Sequence, residues 1–503
     1  MIISFRLLHL GGMALILVLA IAEAAAQGTC DLLSSQQATS AQATGGRVTY
    51  VSRPIFECSE GTRIEADSSV TFEGTSFSQL FGHVFFRDGQ RELRADRAQY
   101  YSLVGRLQAQ GSVRLIGLDD GSVVTGEDLI LLQEGDGRAE DDMIIRGGRP
   151  HARLYSRPQS DVTLGVEVIP GEPMRSETPF DIDADLIHLV SDHLLEARGR
   201  VQITRDDLFS YGDSMAFQQD IGTLTLYRDA RIISPDEAAG DTLDLRADTI
   251  TMVLQNNVVD EMNAVGEARL LAEQVDIRGP TIRLFFVGDL LERIVSVGMP
   301  PPDSISDRES PSEDSIEIQP EALADDLVLT GDSIEIRSLG SDVKTVSAIG
   351  MARGVSSARD LMNTEDTPEL IRRDWIEGHT IIATFGPTSR NSGRPPEGPG
   401  GEAESGREHV LEKLVAQGGA RSFYRSAPGQ PSETREQEPG PLELNYVLGD
   451  EIRLFMLQGE VSRMEVDQAR GAFFQPDLAP TRPSPPVVDT TSSQLKPARW
   501  QGS

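Results

Sequence analysis

Leu93-Arg94-Ala95-Asp96-Arg97-Ala98-Gln99-Tyr100-Tyr101, followed by Gly105-Arg106-Leu107-Gln108-Ala109-Gln110-Gly111-Ser112-Val113-Arg114-Leu115, contains two phrases that return along the whole chain. The first is a small residue, usually with Asp after it, then one spacer and alternating apolar residues. It stands at Ala95-Asp96, Gly126-Glu127-Asp128, Ala184-Asp185, Gly212-Asp213, Ala247-Asp248, Gly331-Asp332 and Gly449-Asp450. Looser copies lie at Ala66-Asp67, Gly279-Pro280 and Gly378-His379. The second phrase is a Gly followed by a new strand, at Gly82-His83-Val84, Gly111-Ser112-Val113, Gly199-Arg200-Val201, Gly266-Glu267-Ala268 and Gly350-Met351-Ala352. The two phrases alternate, and Asp67 to Asp96 is 29 residues while Asp96 to Asp128 is 32. A unit of this length fits two to four short strands and no helix. The chain therefore reads as a β repeat protein, whose function lies in a surface shared by many repeats.

Register supports the reading. Two residues beyond the Asp, or its replacement, stand Ala98, Ile130, Ile187, Met215, Ile250, Ile282, Ile334, Ile381 and Ile452, all apolar. Alternation continues through Leu132, Leu189, Phe217, Met252, Leu284, Phe286, Ile336 and Leu454, the period-2 signature of a strand with one buried face. Only the first copy breaks phase, because Val70 and Phe72 lie at odd offsets from Asp67. Gly supplies positive φ in turns and Asp bonds its own backbone there, so the recurring Asp residues read as turn chemistry.

The N-terminus reads as a cleaved export signal over 1–26. Arg6 precedes the apolar run from Gly11 to Ala22, and Ala24-Ala25-Ala26 offers a small-residue cleavage site. The expected location is the periplasm. Residues 27–50 read as a flexible leader. Cys30 and Cys58 are the only cysteines, and in an oxidising compartment they are candidates for a disulfide. Net charge is −33 with no basic, aromatic-interleaved cluster, which argues against nucleic acid as a partner. The acidic runs at 134–142, 303–317 and 433–438 read as solvated loops. Segments rich in Pro, Gly, Ser and acid cannot bury enough apolar surface to order themselves. They divide the chain into one block at 51–156, an irregular crossing at 157–179, a second block at 180–299, and an acidic linker at 300–326. A third block follows at 327–475, with loop insertions at 386–408 and 427–441, and the chain ends in a disordered tail at 476–503.

The run from Leu93 to Leu129, including Gly121-Ser122-Val123-Val124-Thr125-Gly126-Glu127-Asp128-Leu129, resembles the OstA-like lipopolysaccharide-transport domain. That family includes the periplasmic bridge protein of the transport system and the N-terminal periplasmic domain of its outer-membrane translocon. The resemblance is close over 62–133, looser over 180–298 and only rhythmic over 327–475. It implies an all-β, extended, open, V-shaped β-jelly roll, with an apolar groove that holds the acyl chains of lipopolysaccharide or a related glycolipid. The candidate groove residues are then Ile130, Leu132, Ile187, Leu189, Met215, Phe217, Ile250, Met252, Ile282, Leu284, Phe286, Ile334, Ile336, Ile452 and Leu454. Open sheet edges imply partners at each end, namely an inner-membrane transporter complex, the outer-membrane translocon, or further copies joined head to tail. The strong acidity departs from what a carrier of phosphorylated glycolipid needs.

No catalytic, metal or cofactor pattern accompanies this. The seven His include no HExxH, and no Gly-x-Ser-x-Gly, Walker A or Rossmann phrase is present. The expectation is a protein that is not an enzyme. Two alternatives stay open: an adhesive or structural β-solenoid without lipid, and a polysaccharide-active parallel β-helix.

Overall fold

A computed structural model describes residues 30–155, 178–298, 319–387, 409–426, 443–457 and 460–474, apart from 45, 59–60, 136, 237–240, 256–257, 273–274, 289, 325, 340–341, 359, 361–362 and 364–366. The expected signal peptide, the tail, and nearly all of the crossing and of both insertions lie outside the described residues. What is described is all-β and jelly-roll-like, in strands that run from Cys30–Ser34 to Arg470–Phe474. It divides into two compact units, Met1–Ser296 with Leu339–Ser341, and Val297–Ser338 with Asp342–Ser503. The first two expected blocks thus fall in one unit, save 297–299. Every described ladder is antiparallel, for example Arg91–Tyr101 on Arg106–Gly117 and Asp374–Pro387 on His409–Ser426. A parallel β-helix is therefore excluded for these residues.

Strands reach 18 residues, as in His409–Ser426, because each is bent near its middle. Between Arg91–Tyr101 and Arg106–Gly117, Arg94 pairs with Arg114 and Arg97 with Gln110. Two residues, Ala95 and Asp96, thus face three, Gly111, Ser112 and Val113. Such a β-bulge bends the strand and sharpens its twist. Gly111 (φ 78°) and Ser112 (φ 47°) are both left-handed, a conformation that costs a side-chain-bearing residue about 1–2 kcal/mol. Paired left-handed residues recur at Gly82/His83, Gly199/Arg200, Gly266/Glu267, Gly350/Met351 and Gly418/Gly419, and the ladder slips at each. Arg228/Asp229 does the same without Gly.

In the first unit, the half-strands before and after the bends belong to two walls. Asp142–Arg146 pairs with Leu186–Val190, whereas the following His151–Leu154 pairs with Phe180–Asp183. The walls face one another, since Phe180 of one meets Phe217 of the other at a ring-centroid distance of 5.4 Å. Alternate residues of each half point inward and are buried, such as Leu107, Ala109, Val113 and Leu115 on one strand and Leu195, Ala197, Val201 and Ile203 on another.

Several expectations are corrected. Residues 27–50 are not a loose leader where described: Cys30–Ser34, Gln37–Ala43 and Gly46–Ser52 are strands. The candidate disulfide, by contrast, is present: Cys30 and Cys58 are direct cross-strand partners and are joined. The linker at 300–326 gives way to a strand at Glu321–Ala324, where Ala322 and Ala324 are buried and Leu323 pairs with Val328. The first repeat keeps phase after all. Ser69, two residues after Asp67, is the buried position, and a polar residue there hid the register.

Candidate lipid groove

The two recurring phrases meet in space. The Asp185 N–H donates to the Gly199 carbonyl at 3.0 Å, as Asp67 does to Gly82 and Asp332 to Gly350, both at 2.9 Å. The carboxylate then lies across the open face of the glycine. A Cβ at Gly199 would stand 2.5 Å from Asp185 Oδ2, and Asp67, Asp96, Asp248 and Asp332 cover Gly82, Gly111, Gly266 and Gly350 in the same way. At three bends the second left-handed residue turns back onto the acid: the His83 ring Nδ1 lies 2.8 Å from Asp67 Oδ2, the Ser112 hydroxyl donates to Asp96 at 3.3 Å, and Arg200 Nε donates to Asp185 at 3.2 Å. The hydrogen bond to Asp67 raises the His83 pKa, and hydrogen bonding from Arg200 lowers that of Asp185. These acids fasten bends. The pairing went unread in the sequence, although a repeated Asp-to-Gly spacing of 15 residues, from Asp67 to Gly82 and from Asp96 to Gly111, was its signal.

Most expected groove residues share the inward face. Ile187, Met215, Phe217, Ile250, Met252, Ile282, Leu284, Ile334, Ile336, Ile452 and Leu454 are all buried. They are packed interior, and Ile250, Ile282 and Ile336 are 0% exposed. Leu189 and Phe286 are half-buried near the ends of their strands. Ile130 and Leu132 are misassigned, because the buried residues of that strand are Leu129 and Leu131. The acid laid on the bend there is Glu127, whose Cβ lies 3.1 Å from a Cβ at Gly147, so the count starts one residue earlier than Asp128. A one-residue shift exchanges the two faces of a strand.

In the first unit, two cavities open between the wall tips. One, of about 490 Å³, is lined by Phe56 and Ile64 from one wall and by Thr71, Leu80, Tyr100 and Leu103 from the other. A second, of about 210 Å³, lies among Leu115, Val124 and Leu154 on one side and Met143 and Leu189 on the other. Arg91 spans the tips beside it, bonding Asp88 at 3.1 Å on its own wall and Asp141 on the facing one. Asp141 Oδ1 also accepts the Glu134 N–H at 2.6 Å, so the acidic run at 134–142 is partly engaged in structure.

Much of the remaining acid lies outward, in ladders with arginine. Asp244 accepts from Arg231 at 2.9 Å and 2.8 Å and from Arg246 at 3.2 Å and 2.8 Å. Burial alone would raise its carboxyl, but the two guanidiniums outweigh that and hold it at about 2. Among the described residues there is no group of three or more His, Cys, Asp or Glu that could hold a metal ion. Nor is any described helix long and apolar enough to cross a membrane.

Fold and interior together define an all-β protein of latched, bent strands around an apolar core. No family model matches the chain, and no curated protein matches it. Among solved structures it is similar to LptH, the LptA homologous periplasmic component of the lipopolysaccharide transport device from Pseudomonas aeruginosa. That likeness has a TM-score of 0.22 and 12% identity, and it covers 27% of this chain and 82% of that one. A TM-score of 0.22 establishes neither fold nor function for this chain.

Proposed function

We propose that this chain is an exported, periplasmic carrier of lipopolysaccharide-type lipid, which takes acyl chains between its two walls and helps to bridge inner and outer membrane. One observation supports this most: the repeated acid-on-glycine bend, which within each unit turns the apolar side of successive half-strands inward. The resemblance of 93–129 to OstA-like sequences points the same way. Because the interior is packed, acyl chains enter by parting the walls at the tips, where the two cavities already separate them. Transport components, or further copies of the chain, join at sheet edges, and no catalytic step is involved.

Mass spectrometry of protein purified from its native envelope tests the proposal. Glycolipid should co-purify, and photo-crosslinkers at Ile250, Ile282 and Leu284 should capture its acyl chains. A lipid-free preparation with no crosslinks would refute the carrier reading.

A further inference from the structure

The outer face of the second unit holds a cavity separate from the buried interior. Its floor is formed by four strands, Asp342–Ser356, Asp374–Pro387, His409–Ser426 and Glu443–Leu457. Ala352, Ile376, Ser422 and Asn445 are buried on the inward side, so alternation turns Arg353, Trp375, Glu377, Arg421 and Tyr446 outward. Register sets them side by side: Arg353 pairs with Glu377, Glu377 with Arg421, Trp375 with Phe423, and Phe423 with Tyr446. Described residues between the first two strands, Asp360, Asn363, Glu369, Arg372 and Arg373, line the other side of a space of about 1020 Å³. Arg425, with its side chain 1% exposed, ties that stretch down. It donates to Asp374 Oδ1 at 2.8 Å and to Asn363 Oδ1 at 2.6 Å.

The lining is selective in its chemistry. Trp375 stacks on Phe423 at 6.2 Å and meets Tyr446 edge-on at 6.1 Å, which immobilises an aromatic platform. Four arginines face three carboxylates: Arg353 and Arg421 share Glu377 at 3.3 Å and 2.9 Å, Arg372 pairs Glu369 at 3.2 Å, and Arg373 pairs Asp360 at 3.4 Å. Each guanidinium carries five N–H donors, so these contacts leave donors over, and all four side chains stay roughly half-exposed. In a chain of net charge −33, an anion is otherwise repelled, which makes a local surplus of arginine informative. A bare inorganic anion would leave the aromatic platform unused. A purely apolar ligand would strip water from the charges without replacing it.

We propose that this cavity binds an anionic saccharide, a sugar bearing a carboxylate or a phosphate group. The sugar's C–H face lies on Trp375, its charge meets Arg372 and Arg421, and its hydroxyls donate to Glu377 and Asp360. The site is independent of the lipid-carrier reading.

Calorimetric titration of the full-length exported chain tests this with four probes: a glucuronate-containing tetrasaccharide, a phosphorylated glucose tetrasaccharide, a neutral glucose tetrasaccharide and inorganic phosphate. At least one charged sugar should bind about tenfold or more tighter than both the neutral sugar and phosphate, and the responding arm identifies the charge. Arg372→Gln and Arg421→Gln should each weaken binding about tenfold at unchanged circular dichroism, because a charge-assisted bidentate contact is lost. Trp375→Phe should bind more tightly than Trp375→Leu. No binding, equal binding of neutral sugar or phosphate, or arginine variants that bind like the parent would overturn the assignment.

Discussion

Gly199→Ala probes the aspartate-on-glycine device found at five of the bends. Gly199 sits at φ 80°, where an alanine costs about 1–2 kcal/mol of backbone strain. Its new Cβ would also stand 2.5 Å from Asp185 Oδ2 and 3.0 Å from Asp185 Cγ, closer than real Cβ contacts come. The Asp185 backbone cannot withdraw freely, because its N–H is held by the Gly199 carbonyl at 3.0 Å. Overpacking of this kind adds about 1–3 kcal/mol, so the whole substitution should cost about 2–5 kcal/mol. Hydrogen exchange by mass spectrometry on Leu194–Arg205 and Leu208–Gln218 reads the local loss directly. Asp185→Gly removes the obstructing carboxylate together with the Asp185 Cβ, which would lie 2.9 Å from the new methyl, and in that background Gly199→Ala should cost only the strain, about 1–2 kcal/mol. If Gly199→Ala changes protection by less than about 0.5 kcal/mol, or if the two substitutions simply add, the acid does not hold the bend.

Other consequences can be checked separately. Asp244, held at about 2 against the ordinary aspartate value of 3.8, contributes stability above pH ~4 that is lost as pH falls toward 2. Asp244→Asn should therefore destabilise by on the order of 1–2 kcal/mol at pH 7, with the difference from the parent vanishing near pH 2 in acid-denaturation curves. The His83 imidazole should titrate above 6.5 by NMR and fall back in Asp67→Asn, since the hydrogen bond to Asp67 is its main cause; identical titrations would contradict the contact. Removing the Cys30–Cys58 bridge with Cys58→Ser releases a cross-link 28 residues apart in sequence. That should lower stability by roughly 3–4 kcal/mol, seen as faster exchange over 30–58, and unchanged exchange would show the bridge to be dispensable.

The strand rhythm was legible because it is local. Alternation of apolar residues and the need for positive φ at a turn depend on neighbours within a few positions, so Ile187, Met215, Ile250 and Ile334 were placed on the inward face from spacing alone. Ile130 and Leu132 were misplaced for an equally local reason. Two acids, Glu127 and Asp128, compete for one role, and only the position of Gly147 and Gly148, in the bend between Asp142–Arg146 and His151–Leu154, decides between them. The strand at Cys30–Ser34 was hidden in polar sequence, because an edge held by a disulfide and a ladder needs little apolar surface of its own.

By itself, then, the sequence determined that the chain is built of repeated strands, where most of them turn, and which face of most of them is apolar. Tertiary structure decided what the phrases do to one another. It laid Asp67, Asp96, Asp185, Asp248 and Asp332 on glycines about 14–18 residues further on, sealed the apolar row into a packed interior, and brought Arg353, Arg372, Arg373 and Arg421 around Trp375. The physical reason is range. Pattern and propensity act along a few residues of chain, whereas a bend, a closed interior and a cluster of like charges depend on which strands lie side by side and what a connecting loop is folded across.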